Sequence, residues 1–157
     1  MKFKSSFIII PLLTIIVALV GKSITRECDA WTWYKTLQLP AATPADWVFP
    51  FAWNIIFACA AVAAIIVWNY FQRSFTFWIL LMLFGANAVL NMLWSYLFFG
   101  KHLIGAALLT ALVLQAVTSA LAVLLYHQSK AVSLLLVPYI IWLTVAIYLN
   151  TMIWYLN

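Results

Sequence analysis

Acidic side chains are almost missing from this chain. Glu27, Asp29 and Asp46 are the only three among 157 residues, and none lies inside an apolar run; Asp46 merely opens one. Intramembrane aspartyl proteolysis needs paired acids, and ion-coupled transport ordinarily keeps charged groups within the membrane, so neither fits. Histidine is equally scarce. His102 and His127 stand at the ends of apolar runs as interface residues, which leaves Ser95 and Ser119 without the adjacent base a serine hydrolase requires. The two cysteines, Cys28 and Cys59, form no CxxC and no metal-ligand spacing. One sits in a polar loop and the other in an apolar run, which argues against a disulfide. No glycine-rich phosphate loop and no internal repeat occurs among the residues, which include only four glycines.

What fills the chain instead is hydrocarbon and aromatic surface. Hydrophobic residues make up 68% and charged residues 7%, against about 25% charged in soluble domains, and the mean hydropathy is +1.11. The net charge of +5 does not indicate nucleic acid, because the eight Lys and Arg are scattered singly between oily segments. That is the pattern of headgroup contacts at helix ends.

A bilayer core of about 30 Å takes about 20 apolar residues as a helix. Five segments qualify, over 5–22, 46–71, 75–99, 103–127 and 131–155, with a long loop at 23–45 and tight turns elsewhere. The expected fold is therefore an all-α membrane protein, a single domain over 1–157 built as a bundle of five transmembrane helices. Lys2 and Lys4 before the first run imitate a secretory signal, but no A-x-A-like cleavage site follows, so the first helix is expected to be retained. Basic residues divide four and four between the two sides, so charge bias barely orients the bundle; the N-terminal lysines favour an inside N-terminus.

The polar residues within these spans carry the functional signal. At 100° per residue, Asn87, Asn91, Trp94 and Phe98 fall on one stripe of the third span. Tyr139, Trp142, Ala146 and Asn150 form a similar stripe on the fifth, with Pro138 in its first turns, and the second opens with Trp47, Phe51, Trp53 and Asn54 around Pro50. A buried amide is costly unless it is hydrogen-bonded. Two explanations are open: interhelical glue, worth about 0.6 to 2 kcal/mol, or the wall of a pocket where amides orient a ligand and aromatics cover its faces. Three helices bearing the same mixture favour a shared, flat-faced cavity. Trp31, Trp33, Trp47, Trp78 and Trp154, nearer helix ends, can be explained as interfacial anchors, which suits the deeper Trp53, Trp94 and Trp142 less well. The fourth span presents Ala107, Ala111, Gln115, Thr118, Ser119 and Ala122 as a small, weakly polar face. Together with Ala60, Ala64, Gly85 and Ala88, it suits close packing within the bundle or in a homodimer. A haem iron would want a His, Cys or Met ligand, and only Cys59 and a few methionines are available, so a tetrapyrrole held here is expected to be metal-free.

The segments WYKTLQLPAATPADWVFPFAWNIIF, LNMLWSYLFFG and PYIIWLTVAIYLNTMIWYLN resemble the TspO/translocator protein family in order and spacing. The resemblance covers nearly the whole chain and rests on WY-x2-L-x2-P-x3-P-x2-W-x-F-x3-W followed by LN-x2-W-x3-FFG. It implies a five-helix bundle, commonly dimeric in bacteria, whose cavity binds porphyrins, notably protoporphyrin IX, as a sensor or carrier. Animal members also bind cholesterol and benzodiazepine-like drugs. It implies further that Asn91, Trp94 and Ala146 line the pocket. Some bacterial relatives degrade protoporphyrin with light and oxygen using two tryptophans that match Trp53 and Trp142, so an enzyme is the alternative reading and a structural membrane partner the third. Arg26 and Lys35 in the first loop are candidates to meet the propionates. No basic residue follows Tyr155, so the animal sterol motif is missing and sterol binding is expected to be weak.

Overall fold

The computed structural model describes residues 5–27 and 30–157, the side chains of residues 22, 24–27, 30 and 31 excepted. Among the described residues seven α-helices follow one another: α1 Ser6–Glu27, α2 Ala30–Thr36, α3 Val48–Tyr70, α4 Phe75–Ser95, α5 Ile104–Gln128, α6 Lys130–Leu134 and α7 Val137–Leu156. A π-helical turn, Tyr96–Gly100, extends α4. Among the described residues there is no strand, so the all-α expectation holds.

Four of the helical stretches are long and apolar enough to cross a membrane: Val48–Tyr70, Phe75–Gly100, Ile104–Gln128 and Lys130–Leu156. They match the expected second to fifth spans. The expected first span falls on α1, a helix of 22 residues whose described apolar stretch is Ser6–Gly21. The stretch expected as a loop over 23–45 holds the end of α1 and the whole of α2. The fifth span is interrupted at residues 135 and 136. Pro138 follows that interruption in the first turn of α7, where its missing N–H costs no bond within that helix. Ser74 starts α4 by accepting a hydrogen bond from the Phe77 N–H at 3.3 Å.

The long helices close into a ring in the order α1, α3, α7, α5, α4 and back to α1. α5 is the most enclosed, packing extensively with α4 and α7. Its small face explains this, since Ala107, Ala111, Thr118 and Ala122 are all buried and let backbones approach closely. The outer surface is apolar: Phe75 is 81% exposed, Leu109 66% and Ile141 61%. In water such a surface would associate; against lipid tails it is solvated.

The π turn is held by the Lys101 N–H donating to the Tyr96 carbonyl at 2.9 Å. Beyond it His102 takes a left-handed backbone, φ 57°, which costs a residue with a Cβ about 1–2 kcal/mol. The stack of its ring on Trp33, 3.9 Å between centroids and 7° between planes, offsets part of that cost. So α2 lies against this end of the ring. Trp33 meets Phe98 edge-on at 5.5 Å, and the buried Tyr34 lies near Phe98 and Phe99. Burial and the nearby Asp46 carboxylate both push the Tyr34 phenol pKa above its ordinary value. Gln38 and Asn157 exchange hydrogen bonds of 3.0 and 3.2 Å, which ties the segment after α2 to the end of α7.

Candidate functional site in the ring interior

The stripe on α4 points into the ring, and its amides meet partners on α5 and α7. Asn91 donates to the Tyr139 hydroxyl at 2.8 Å, and that hydroxyl donates to Asn87 Oδ1 at 3.1 Å. Asn87 in turn donates to Thr118 Oγ1 at 2.8 Å, and Thr118 donates to the Leu114 carbonyl at 2.7 Å. Near the other end, Trp94 Nε1 donates to Asn150 Oδ1 at 3.1 Å while Asn150 Nδ2 donates to the Ile104 carbonyl at 3.0 Å. The amides therefore hold helices together, as the glue explanation required. Asn91 also borders open space on two sides.

The aromatics surround these amides. Trp94 stacks on Phe98 with centroids 5.2 Å apart. Trp53 lies edge-on to Tyr139 at 6.2 Å and against Phe57 at 5.6 Å, and Phe49 meets Trp142 edge-on at 5.7 Å. The Trp142 Nε1 and Gln115 Oε1 atoms are buried without a hydrogen-bond partner, and an unpaired buried donor is costly. Trp53, Asn91, Trp94 and Ala146 do converge with Ala111, Leu114 and Leu143, yet the space between them is only about 10 Å³, about what one water needs. Four of the expected residues thus meet around a space that is nearly filled.

Trp47, Phe51 and Asn54 do not join it. Trp47 is 67% exposed, Phe51 58%, and Asn54 is exposed as well. The reason is helical geometry: at 100° per residue these three lie about 100 to 160° away from Trp53 around α3. Reading two whole turns as one patch merged opposite faces. Phe57, one turn beyond Trp53, is the residue that reading missed, and its spacing would have shown it. Phe49 is a second omission. Its contact with Trp142 joins two helices and leaves no trace in either sequence segment. Thr118, taken as a packing residue, is the end of the amide chain. Lys35 is exposed on α2, while the Arg26 side chain and Trp31 lie outside the described side chains.

The larger open space is elsewhere. A cavity of about 490 Å³ lies between α1, α3 and α4, and of the expected site residues only Asn87 and Asn91 reach it. Phe57 is on its wall and stacks on Trp53 at the closed pocket, and Asn91 lines both spaces.

A model of the TspO/MBR family matches residues 7–156. The chain belongs to that family. Among its relatives, the tryptophan-rich protein TspO of Archaeoglobus fulgidus is 34% identical over 142 residues, 90% of each chain. The protein of the same name from Bacillus cereus is 31% identical over the full length of both, and the human translocator protein is 31% identical over 78% of this chain and 73% of its own. As a family member with four long apolar helices, this is an integral membrane protein.

Proposed function

We propose that the protein binds a flat, metal-free tetrapyrrole, protoporphyrin IX, inside the ring and acts as a porphyrin sensor or carrier. In this reading five segments cross the bilayer, with α1 as the first span. The observation that carries it is the position of Asn91, which borders both the tryptophan-lined pocket and the 490 Å³ cavity. A turn of the Trp53–Phe57 pair joins the two spaces beside that amide, and the joined volume falls in the range of about 300–1,000 Å³ that small-molecule sites occupy. The indoles of Trp53, Trp94 and Trp142 then cover the macrocycle. A second reading, light- and oxygen-dependent destruction of the porphyrin, is favoured by the same indoles, because they are the oxidisable groups around the ligand.

Titration of the detergent-solubilised protein with protoporphyrin IX is expected to quench tryptophan emission saturably. Emission that stays constant after inner-filter correction would rule the reading out. Asn91→Leu separates ligand contact from glue. The Tyr139 hydroxyl keeps its bond to Asn87 in this variant, so the fold loses one bond, about 0.6 kcal/mol. Porphyrin affinity is expected to fall about tenfold, 1.4 kcal/mol, with the melting temperature nearly unchanged. Unchanged affinity would reduce Asn91 to a packing residue.

A further inference from the structure

The cavity between α1, α3 and α4 supplies nearly all the volume that the tetrapyrrole reading opens beside Asn91, and it runs on from that amide to Trp68 and Ser5. It exists because the facing residues are small: Ala60 and Ala64 on α3, Gly85 and Ala88 on α4. A Cβ built on Gly85 meets nothing within 4 Å. Interiors otherwise pack to crystal-like density, so about 490 Å³ of unfilled space is a feature to explain.

Its walls say what fits. The polar groups that reach the cavity are largely occupied with one another. Thr14 donates to the Ile10 carbonyl at 3.0 Å, and Ser6 and Asn69 exchange hydrogen bonds at 3.0 and 2.9 Å. Asn87 is engaged by Thr118 and Tyr139, and Asn91 donates to Tyr139. A ligand needing directional bonds along its length gains little there, whereas a hydrocarbon chain loses none. The space is also long. α4 lines it from Leu81 to Asn91, about 15 Å of helix at about 1.5 Å per residue. Its outer end is distinct. Trp68 on the wall carries the Arg73 guanidinium 4.5 Å above its ring, and Arg73 also lies 4.1 Å over Phe77. The exposed Ser5 is on the wall too, just ahead of α1.

We propose that this cavity binds a single-chain fatty acid, its hydrocarbon lying between α1, α3 and α4 toward Asn91 and its carboxylate held by Arg73 at the membrane surface. One chain suits a space walled by three helices; a diacyl phospholipid brings two chains.

The test uses the full-length protein in lipid nanodiscs, a palmitate analogue with a diazirine in its chain, and peptide mapping of the photoadducts, with no porphyrin present. Adducts are expected on residues such as Ile10, Phe57 and Ala64, competed by unlabelled palmitate. Ala64→Phe and Ala88→Phe, which fill the space, are expected to lower competed labelling about tenfold in protein whose melting temperature is retained. Arg73→Gln is expected to weaken palmitate about threefold, the scale of an exposed charge contact, and to leave hexadecanol unaffected. Labelling spread over outward residues such as Leu109 and Ile141, and indifferent to Ala64→Phe, would overturn the site. Equal labelling by a diacyl photolipid that palmitate does not displace would overturn the choice of ligand. Porphyrin quenching is read separately, so its failure leaves this result standing.

Discussion

Light-driven loss of bound protoporphyrin IX is expected to fall at least about tenfold in Trp53→Phe and in Trp142→Phe, while affinity changes by no more than about tenfold, 1.4 kcal/mol. This follows from the second reading, in which the protein acts chemically on its ligand. The groups around the pocket are indoles, a phenol, amides and hydrocarbon. Acid–base catalysis has little to work with there. An indole, however, gives up an electron to a photo-excited porphyrin or reacts with the oxygen species that the porphyrin sensitises. Phenylalanine keeps a flat apolar face and is far harder to oxidise. In that reading the ring confines pigment, dioxygen and indole together, which replaces chance encounter by proximity. Trp53 and Trp142 also contact Tyr139 and Phe49 edge-on, and a phenyl ring preserves part of each contact. Trp78 is 55% exposed on the outer face, so Trp78→Phe is the control and is expected to bleach pigment like the wild type. The measurement is porphyrin absorbance against illumination time. Equal rates in all three variants, wild type and empty detergent would leave binding as the only activity.

Asn150→Leu is expected to be among the most destabilising of the polar replacements, by about 2 kcal/mol. Asn150 is 2% exposed, and both ends of its amide are used across helices, one by Trp94 on α4 and the other by the Ile104 carbonyl on α5. Leucine leaves the Trp94 indole N–H without its partner, while the Ile104 carbonyl keeps the N–H of its own helix. Single interhelical bonds in membrane proteins average about 0.6 kcal/mol; two lost at once, one of them leaving a donor unpaired, exceed that. For a chain of this length the loss corresponds to a melting temperature lower by about 4–8 °C. Asn54→Leu, on the exposed face of α3, removes no interhelical bond among the described residues and is expected to leave melting unchanged. Equal melting of the two variants would show that the Asn150 contacts contribute nothing to stability.

Hydropathy alone determined the helical class and the second to fifth spans, because an apolar run long enough for a bilayer has few other folds open to it. The stripe of Asn87, Asn91, Trp94 and Phe98 was legible for a related reason: angles around one helix follow from a fixed rotation per residue. That same rotation, applied to α3, separates Trp47, Phe51 and Asn54 from Trp53. What one helix's sequence does not hold is the identity of its neighbour. The partners of the amides are Thr118, Tyr139 and the Ile104 carbonyl, which come from other helices 31, 52 and 46 residues away. Whether a buried amide serves a ligand or another helix is decided by which donors and acceptors the packed ring brings within about 3 Å. Whether a pocket is open is decided by how side chains fill the space between helices. Small residues at 60, 64, 85 and 88 leave room beside α1, while indoles fill the end expected to be empty. Composition and periodicity describe surfaces one helix at a time, and a cavity belongs to several helices at once.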